Sequence, residues 1–449
     1  MEKETILELL NERPIRTAEL RSIFAEMNVV NIADIFEDEE KETILRIFRL
    51  LPKNIASEVF AYLDGDKQQI LIEALSDTEV SDIMNKLFVD DAVDLIEEMP
   101  ANVVKRILQN IHPEKRRIIN QILQYPEDSA GSMMTTEYVE LPEDATVQEA
   151  FDLIRKTGVN KETIYTCYVI RRDRLLVGEV SAKTLMLANP NDRINAIMET
   201  NLVFAHTTDD QELTAAQFKK YGLLAMPVVD TEDRLVGIIT VDDIVQVIEE
   251  ENTEDFEKMG ALTPSEEPYM KTGVLKLTRN CILWLLFLML SATITGGIIS
   301  SFENALAVLP ILVAFIPMLM DTGGNAGSQS ATLIIRGMAL GEVNFKDILV
   351  VLWKEIRVGF LCGLILGIIN FARIYFMNGK NSLLALVVTA SMMSAVIMAK
   401  TIGCLLPMVA KKLRADPAIM AAPLITTIVD AASLVVYFSI AKLMFNLAV

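Results

Sequence analysis

The sequence predicts a multidomain membrane protein in four successive parts: an all-α superhelical front, a pair of α/β units, a long acidic linking helix and a five-helix all-α transmembrane domain. Three observations predict it. Charge is split unevenly: the 449 residues carry a net −20, yet from Lys271 onward there are 14 Lys+Arg against 7 Asp+Glu, which leaves the front at −27. The back holds uninterrupted apolar stretches long enough to cross a hydrocarbon core of about 30 Å. The front repeats itself with two different periods, and a chain of this length exceeds one compact core.

Residues 1–130 read as short amphipathic helices. A unit recurs about every 24 residues, opening with Leu51-Pro52-Lys53-Asn54, then Leu75-Ser76-Asp77-Thr78, then Met99-Pro100-Ala101-Asn102. Each opening is a helix-start signal followed by apolar positions such as Ile55, Val59 and Leu63, which predicts stacked helical hairpins.

Residues 131–244 change character, with short β-branched runs bounded by Asp and Gly alternating with amphipathic helices. The segment also repeats, dividing into 131–193 and 194–244. Met134-Thr135-Thr136 is echoed by Met198-Glu199-Thr200, Tyr168-Val169-Ile170 by Pro227-Val228-Val229, and Asp173-Arg174-Leu175-Leu176-Val177-Gly178 by Asp233-Arg234-Leu235-Val236-Gly237. These copies resemble CBS domains, whose Gly-x-x-Thr/Ser-x-x-Asp signature stands here as Gly237-Ile238-Ile239-Thr240-Val241-Asp242-Asp243. The first copy has Gly178-Glu179-Val180-Ser181-Ala182-Lys183-Thr184 and so lacks the carboxylate that would hold a ribose. The resemblance makes Gly237, Thr240 and Asp243 candidates for an adenine nucleotide such as ATP, beside a purely structural or metal-sensing role for the pair.

Residues 245–272 are expected to form the linking helix, running from Asp243 through Glu249-Glu250-Glu251-Asn252-Thr253-Glu254-Asp255 to Leu262 before Pro264. Residues 273–449 hold the expected spans: Cys281–Phe302, Leu306–Met320 continuing through a Gly-rich break to Ile335, Ile348–Phe371, Leu383–Met408 and Ala418–Phe445. The start Met1-Glu2-Lys3-Glu4-Thr5 lacks the basic region and apolar core of a signal peptide. Basic residues cluster before the first span (Lys271, Lys276, Arg279), around Arg336–Arg357 and at Lys411, Lys412 and Arg414, with only Arg373 and Lys380 on the other side. The positive-inside rule then predicts a multi-pass protein of the plasma (inner) membrane with a cytoplasmic front. So acidic a front does not suit nucleic acid.

Two His and four Cys without a paired CxxC leave oxygen as the ligand for any metal, which means Mg²⁺, Ca²⁺ or Mn²⁺. Two features put oxygen at membrane depth. The second span carries Asp321, Gly324, Asn325, Ser328 and Gln329 among its glycines, where a loosened helix would free carbonyls along water; close packing through Gly323 and Gly327 is the alternative use. The last span carries Asp430, at roughly 3 kcal/mol or more unless water or a cation meets it. Thr426, Asp430, Ser433 and Tyr437 share one helical face and suggest a water-filled path, while Lys400 at a similar depth offers a buried ion pair with Asp430 instead.

The whole order, with Pro317–Ser330 and Asp416-Pro417 followed by Pro423–Ser433, resembles the MgtE family of magnesium channels along essentially the full chain. The resemblance implies a homodimer with the pore between subunits and Mg²⁺ held there by Asp430, with Thr426, Asn325, Gly324 and Asp321 around it. It also implies closure by cytosolic Mg²⁺ bound to acidic residues: Asp90, Asp91 and Asp94 on one helix, Glu212, Asp243, Glu251 and Glu254, with Asp416 beside the pore mouth. Asp416 is equally an ordinary helix N-cap. Gly222 and Gln246 stand where some relatives carry acids.

No Walker loop, phosphorylated-Asp motif or nucleophile with its base stands in the sequence, so an enzyme is not expected. Two competing readings remain: a membrane-anchored adenine-nucleotide sensor, which has no use for Asp430, and a channel for Mn²⁺, Co²⁺ or Ni²⁺.

Overall fold

The computed structural model describes all residues except 1, 12–16, 38, 54, 266–268, 421 and 447–449. Asn54 in the first repeat signal and Ala421 in the last expected span therefore lie outside the described residues. The chain divides into two compact units, Met1–Ile248 and Glu249–Val449.

The first unit opens with helices α1–α10 (Glu2–Asn11, Thr17–Glu26, Val29–Ala33, Lys41–Leu50, Ala56–Ala61, Gly65–Ala74, Asp77–Met84, Val89–Glu98, Ala101–Asn110 and Pro113–Ile122). The repeat signals do start helices. Ser76 caps α7 by accepting from the Glu79 amide while the Glu79 carboxylate accepts from the Ser76 amide, and Pro100 precedes α9. Arg106 on α9 donates to Asp77 at 2.9 Å and to the carbonyls of Ile72 and Leu75, fastening one hairpin to the previous one. A continuous core runs underneath through Phe24, Phe36, Ile47, Phe60, Leu71, Met84, Val93 and Ile107.

The α/β part is two copies of one three-stranded sheet. Strands β1 (Glu140–Pro142), β2 (Thr166–Ile170) and β3 (Leu176–Ser181) form the first, and β4 (Ala205–His206), β5 (Ala225–Val229) and β6 (Leu235–Thr240) the second. In each, the outer pair is parallel, the next antiparallel, and the register shifts at the same place, Val169/Ile170 and Val228/Val229. Helices α11 (Val147–Thr157), α12 (Ala182–Leu187), α13 (Ile194–Ile197) and α14 (Gln211–Tyr221) accompany them.

The repeated Met-x-Thr and Gly positions have a shared explanation. Thr135 exchanges both backbone hydrogen bonds with Ile238 of β6, and Glu199 does the same with Glu179 of β3. A Cβ on Gly237 would overlap Met134 and the Thr135 carbonyl, and one on Gly178 would overlap Met198. The lead-in of each copy thus crosses a strand of the other where only glycine leaves room, so Gly237 is needed for packing whatever else binds nearby.

Helix α15 (Val241–Met259) begins in the first unit and ends in the second. It stops three residues before the expected Leu262, where the Gly260 amide donates to Phe256 and the Leu262 amide to Glu257. The second unit continues with α16 (Val274–Ser301), α17 (Glu303–Val308), α18 (Ile316–Ala339), α19 (Ile348–Met377), α20 (Ser382–Lys412) and α21 (Ala422–Phe445). Among the described residues four segments are long and apolar enough to span a membrane: α16, Phe345–Met377, Ser382–Lys412 and Pro417–Phe445. Helix α18, the expected second span, falls outside that set because a polar stripe runs along it.

Two expectations about this region are corrected. Leu306–Leu309 does not belong to the second span: α17 ends at Val308 and a 3₁₀ turn, Pro310–Phe315, leads into α18. Nor is there a Gly-rich break, because α18 is one continuous helix through Gly323, Gly324 and Gly327. The glycines serve close approach instead. A Cβ on Gly323 would press on Ser433 and Val429, one on Gly327 on Ile425 and the Ala399 carbonyl, and one on Gly403 of α20 would overlap the Gly327 backbone.

Candidate ion pathway and acidic sensor

Helix α18 has two faces. Ile316, Leu319, Gly323, Ala326, Gly327, Ser330, Ala331 and Ile334 are buried against neighbouring helices, whereas Asp321, Asn325, Gln329, Thr332 and Arg336 recur at helical spacing on the exposed side. Asn325 donates to the Asp321 carboxylate at 3.1 Å, which fixes both side chains along the stripe.

Asp430 on α21 approaches α18 at Gly324, a buried position beside this stripe. A Cβ there would lie 3.0 Å from the Thr426 methyl and 3.6 Å from Asp430 Oδ1, so glycine lets the carboxylate approach the α18 backbone. Asp321 lies within electrostatic range of Asp430. The five expected pathway residues, Asp321, Gly324, Asn325, Thr426 and Asp430, therefore share one neighbourhood. The rest of the expected stripe on α21 does not lead into a water path. Ser433 is buried against Gly323, and fully buried Tyr437 donates to the Leu312 carbonyl at 2.9 Å, anchoring the 3₁₀ turn. Lys400 donates to Gln329 at 3.4 Å, and among the described residues no ion pair joins it to Asp430.

A second acidic locus stands in the first unit. Asp90 of α8 is buried, and burial, followed by the charges of Asp243, Asp91 and Glu162, holds its carboxyl well above the usual range. Desolvation and then Asp243 raise Asp94 to about 7, although its exposed surface lets water temper both. Asp243 stands at about 6, raised by burial and partly restored by the Thr240 hydroxyl, which donates at 2.6 Å. Glu162, before β2, is pushed by burial and then by Asp242, Asp91 and Asp243 to about 8, and its Oε2 is buried without a hydrogen-bond partner. Sequence reasoning missed Glu162 and Asp242; no spacing in Asn160-Lys161-Glu162 marks the loop, whereas Asp242 sits directly beside Asp243. Glu212 occupies the exposed start of α14. Among the described residues no three His, Cys, Asp or Glu side chains converge tightly enough to ligate a bare metal ion.

The third locus is the end of α15. Lys258 reaches Glu254 at 2.6 Å and Asp416 at 2.7 Å, while Asp416 Oδ1 accepts from the Ala418 amide at 2.8 Å and caps the following 3₁₀ turn. The expected capping role of Asp416 is met, and its ion pair with Lys258 is a further feature that the sequence did not show. Burial alone would lower the Lys258 pKa, but its bonds to Asp416 and Glu254 outweigh that and raise it. Asp255 beside them is raised by burial and then by Asp416. Glu251 lies half-buried one turn earlier on α15. Lys258 was overlooked because an i,i+4 lysine on an acidic helix reads as surface pairing.

Comparison with known proteins places three family models along the chain. Residues 27–128 match the family model described as the MgtE intracellular N domain, residues 130–190 and 194–250 match the CBS domain, and residues 316–440 match MgtE, described as a divalent cation transporter. The magnesium transporter MgtE of Thermus thermophilus is 34% identical over 432 residues, 95% of each chain. This chain belongs to the MgtE family of magnesium transporters. The MgtE transporter of Bacillus subtilis is 33% identical over 440 residues, covering 97% of this chain and 96% of its own. Among solved structures, the cytosolic domain of the Mg²⁺ channel MgtE in complex with ATP matches at a TM-score of 0.52 and 32% identity, over 55% of this chain and 99% of that one. The soluble part of a magnesium transporter matches at a TM-score of 0.52 and 27% identity, over 56% and 97%. Membership makes the chain a membrane transporter and not an enzyme, and the MgtE relatives extend along both its soluble and its apolar parts.

Proposed function

We propose that this protein is a channel that admits hydrated Mg²⁺ down its electrochemical gradient and closes when cytosolic Mg²⁺ binds its acidic front. The observation that carries the pathway is the meeting of Asp430 and Thr426 with Gly324, flanked by Asp321 and Asn325. Mg²⁺ surrenders its waters reluctantly, so carboxylates and amides that touch its hydration shell suit it better than a dehydrating cage. A membrane potential of about 100 mV supplies roughly 4.6 kcal/mol for a divalent ion, about three decades of accumulation without ATP. The working unit is a homodimer in the lipid bilayer, with the exposed stripes of α18 lining the path and Asp430 contributed by both subunits.

Closure would use the clustered carboxylates of Asp90, Asp91, Asp94, Asp242, Asp243 and Glu162, together with Glu212 and, at the end of the linking helix, Glu251, Glu254 and Asp416. A like-charge cluster in which Asp90, Asp91, Asp94, Asp243 and Glu162 are raised favours a divalent counter-ion over water. ATP is the candidate second ligand, at Gly237, Thr240 and Asp243 of the second CBS copy; the ATP complex of the related cytosolic domain supports this reading. The domain limits 1–130, 131–244, 245–272 and 273–449 complete the proposal. Liposome Mg²⁺ flux with Mg²⁺ varied on the cytosolic face tests it, with Mn²⁺, Co²⁺ and Ni²⁺ as competitors. Wild-type protein that passes no Mg²⁺ overturns the channel; flux that stays constant as cytosolic-face Mg²⁺ rises overturns the closure.

A further inference from the structure

Behind the polar stripe lies a buried charged network that the pathway described above does not use. Glu355 of α19 and Lys400 of α20 are only 7% and 5% exposed, within helices long and apolar enough to span a membrane, where a buried ionised side chain needs a partner. Among the described residues neither forms an ion pair; Ser330 of α18 stands between them. Its hydroxyl donates to Glu355 Oε2 at 2.7 Å, a length typical of a bond to a carboxylate, and lies 3.1 Å from the Lys400 carbonyl. The tight crossing of Gly327 with Gly403 brings α18 and α20 together here. Gly359, one turn beyond Glu355, opens α19 to the Lys400 stem, since a Cβ there would lie 3.5 Å from Lys400 Cβ and Cγ. The stem is thus held in the protein interior, while its ammonium reaches outward to Gln329, on the same exposed stripe as Asp321 and Asn325.

We propose that Lys400 is a specificity-determining residue of the ion path: a tethered cation at the stripe, with the Glu355 carboxylate, held beside the Lys400 backbone by Ser330, as its counter-charge, that loosens the hold of the path on divalent ions enough for them to leave. Conduction needs binding that is favourable to enter and weak enough to exit, and a fixed positive charge acts on an ion in proportion to that ion's charge. Removing it tightens Mg²⁺ binding and slows release; removing its counter-charge does the reverse. The inference rests on the channel reading above, and the test separates the two.

The experiment compares Mg²⁺ flux in proteoliposomes for the full-length wild type, Lys400→Met, Lys400→Arg, Glu355→Gln and the Lys400→Met/Glu355→Gln double variant. Lys400→Met should lower the half-saturating Mg²⁺ concentration by about threefold or more and lower the maximal flux, with a smaller shift, about the square root of that factor, for a permeating monovalent ion. Glu355→Gln should raise the half-saturating concentration, the double variant should return toward wild type, and Lys400→Arg should remain close to it. A merely structural network would shift both single variants in one direction, with Tm, and the double further still; that pattern overturns the proposal. Half-saturation unchanged in folded Lys400→Met overturns it as well. Absence of wild-type flux would instead overturn the channel reading. Should Lys400→Met fail to fold, Lys400→Gln carries the same prediction.

Discussion

Replacing Lys258 with Met removes the ammonium that holds the end of α15 to Asp416. The two contacts are short, 2.6 and 2.7 Å, but their side chains are 20%, 39% and 28% exposed for Lys258, Glu254 and Asp416, so water screens both. Partly exposed pairs contribute about 0.5–1 kcal/mol each, so together about 1–2 kcal/mol, a factor of about 5–30 in the docking equilibrium of this turn. Removal also leaves Glu254, Asp255 and Asp416 facing one another with only the charge of Arg336 still acting on Asp255 among the described residues, which pushes the effect toward the upper end. Amide hydrogen exchange at Gly260 and Leu262, whose bonds to Phe256 and Glu257 close the helix, reads that equilibrium directly. In Mg²⁺-free buffer the variant should exchange about 5–30-fold faster than wild type, and millimolar Mg²⁺ should restore protection by taking the place of the ammonium. Lys258→Arg should behave as wild type. Equal protection of wild type and Lys258→Met without Mg²⁺ would refute the idea that Lys258 is the resident cation of this junction.

Asp430→Asn should reduce Mg²⁺ flux by about tenfold or more in protein that still folds and inserts, because it withdraws the α21 carboxylate beside Gly324; wild-type flux would remove Asp430 from the path. Gly403→Ala should cost about 1–3 kcal/mol, seen as a lower detergent Tm, since the added methyl overlaps the Gly327 backbone and must separate α18 from α20. The acidic locus should make the first unit pH-sensitive. Asp243, Asp94 and Glu162, at about 6, 7 and 8, are raised above ordinary carboxylates, so their contribution to stability is full below about pH 4 and is lost as pH rises through 6 to 8. Its thermal transition without divalent ions should fall across that window and recover with Mg²⁺, whose apparent affinity should rise with pH. A transition that stays level from pH 5 to 9 would contradict the cluster.

The architecture was legible because each part has its own periodicity. Capping signals at Ser76 and Pro100 mark the stacked helices, the doubled Gly178 and Gly237 mark the paired sheets, and apolar length marks the spans. Residue types also brought Asp430 and the Asp321–Asn325 pair into view, since charge at membrane depth needs a reason. Partnership across helices was not legible. Ser433 and Tyr437 share a helical face with Asp430, yet they turn into packing because Gly323 and the Leu312 carbonyl happen to stand opposite them. Glycine spacing in α18 could not distinguish a broken helix from a closely packed one, because the answer lies in Gly403, Val429 and Ser433 on other helices. Glu162 joins the acidic cluster from a loop with no signature, and Lys400 needed Gln329 and Glu355 to acquire a place.

The two-faced character of α18 also bears on how the protein is made. A segment bearing Asp321, Asn325, Gln329 and Arg336 on its exposed face partitions poorly into lipid by itself, each central charge adding about 2.5–3.5 kcal/mol on insertion scales. Helices α20 and α21, synthesised only afterwards, supply the apolar bulk that α18 lacks and bury its opposite face. During biogenesis the nascent α18 must therefore wait at the insertion machinery, or re-enter from the interface, until its successors emerge. Premature release of that helix, rather than misfolding of the soluble parts, becomes the step at which lesions at Gly327 or Gly403 would divert the chain to degradation.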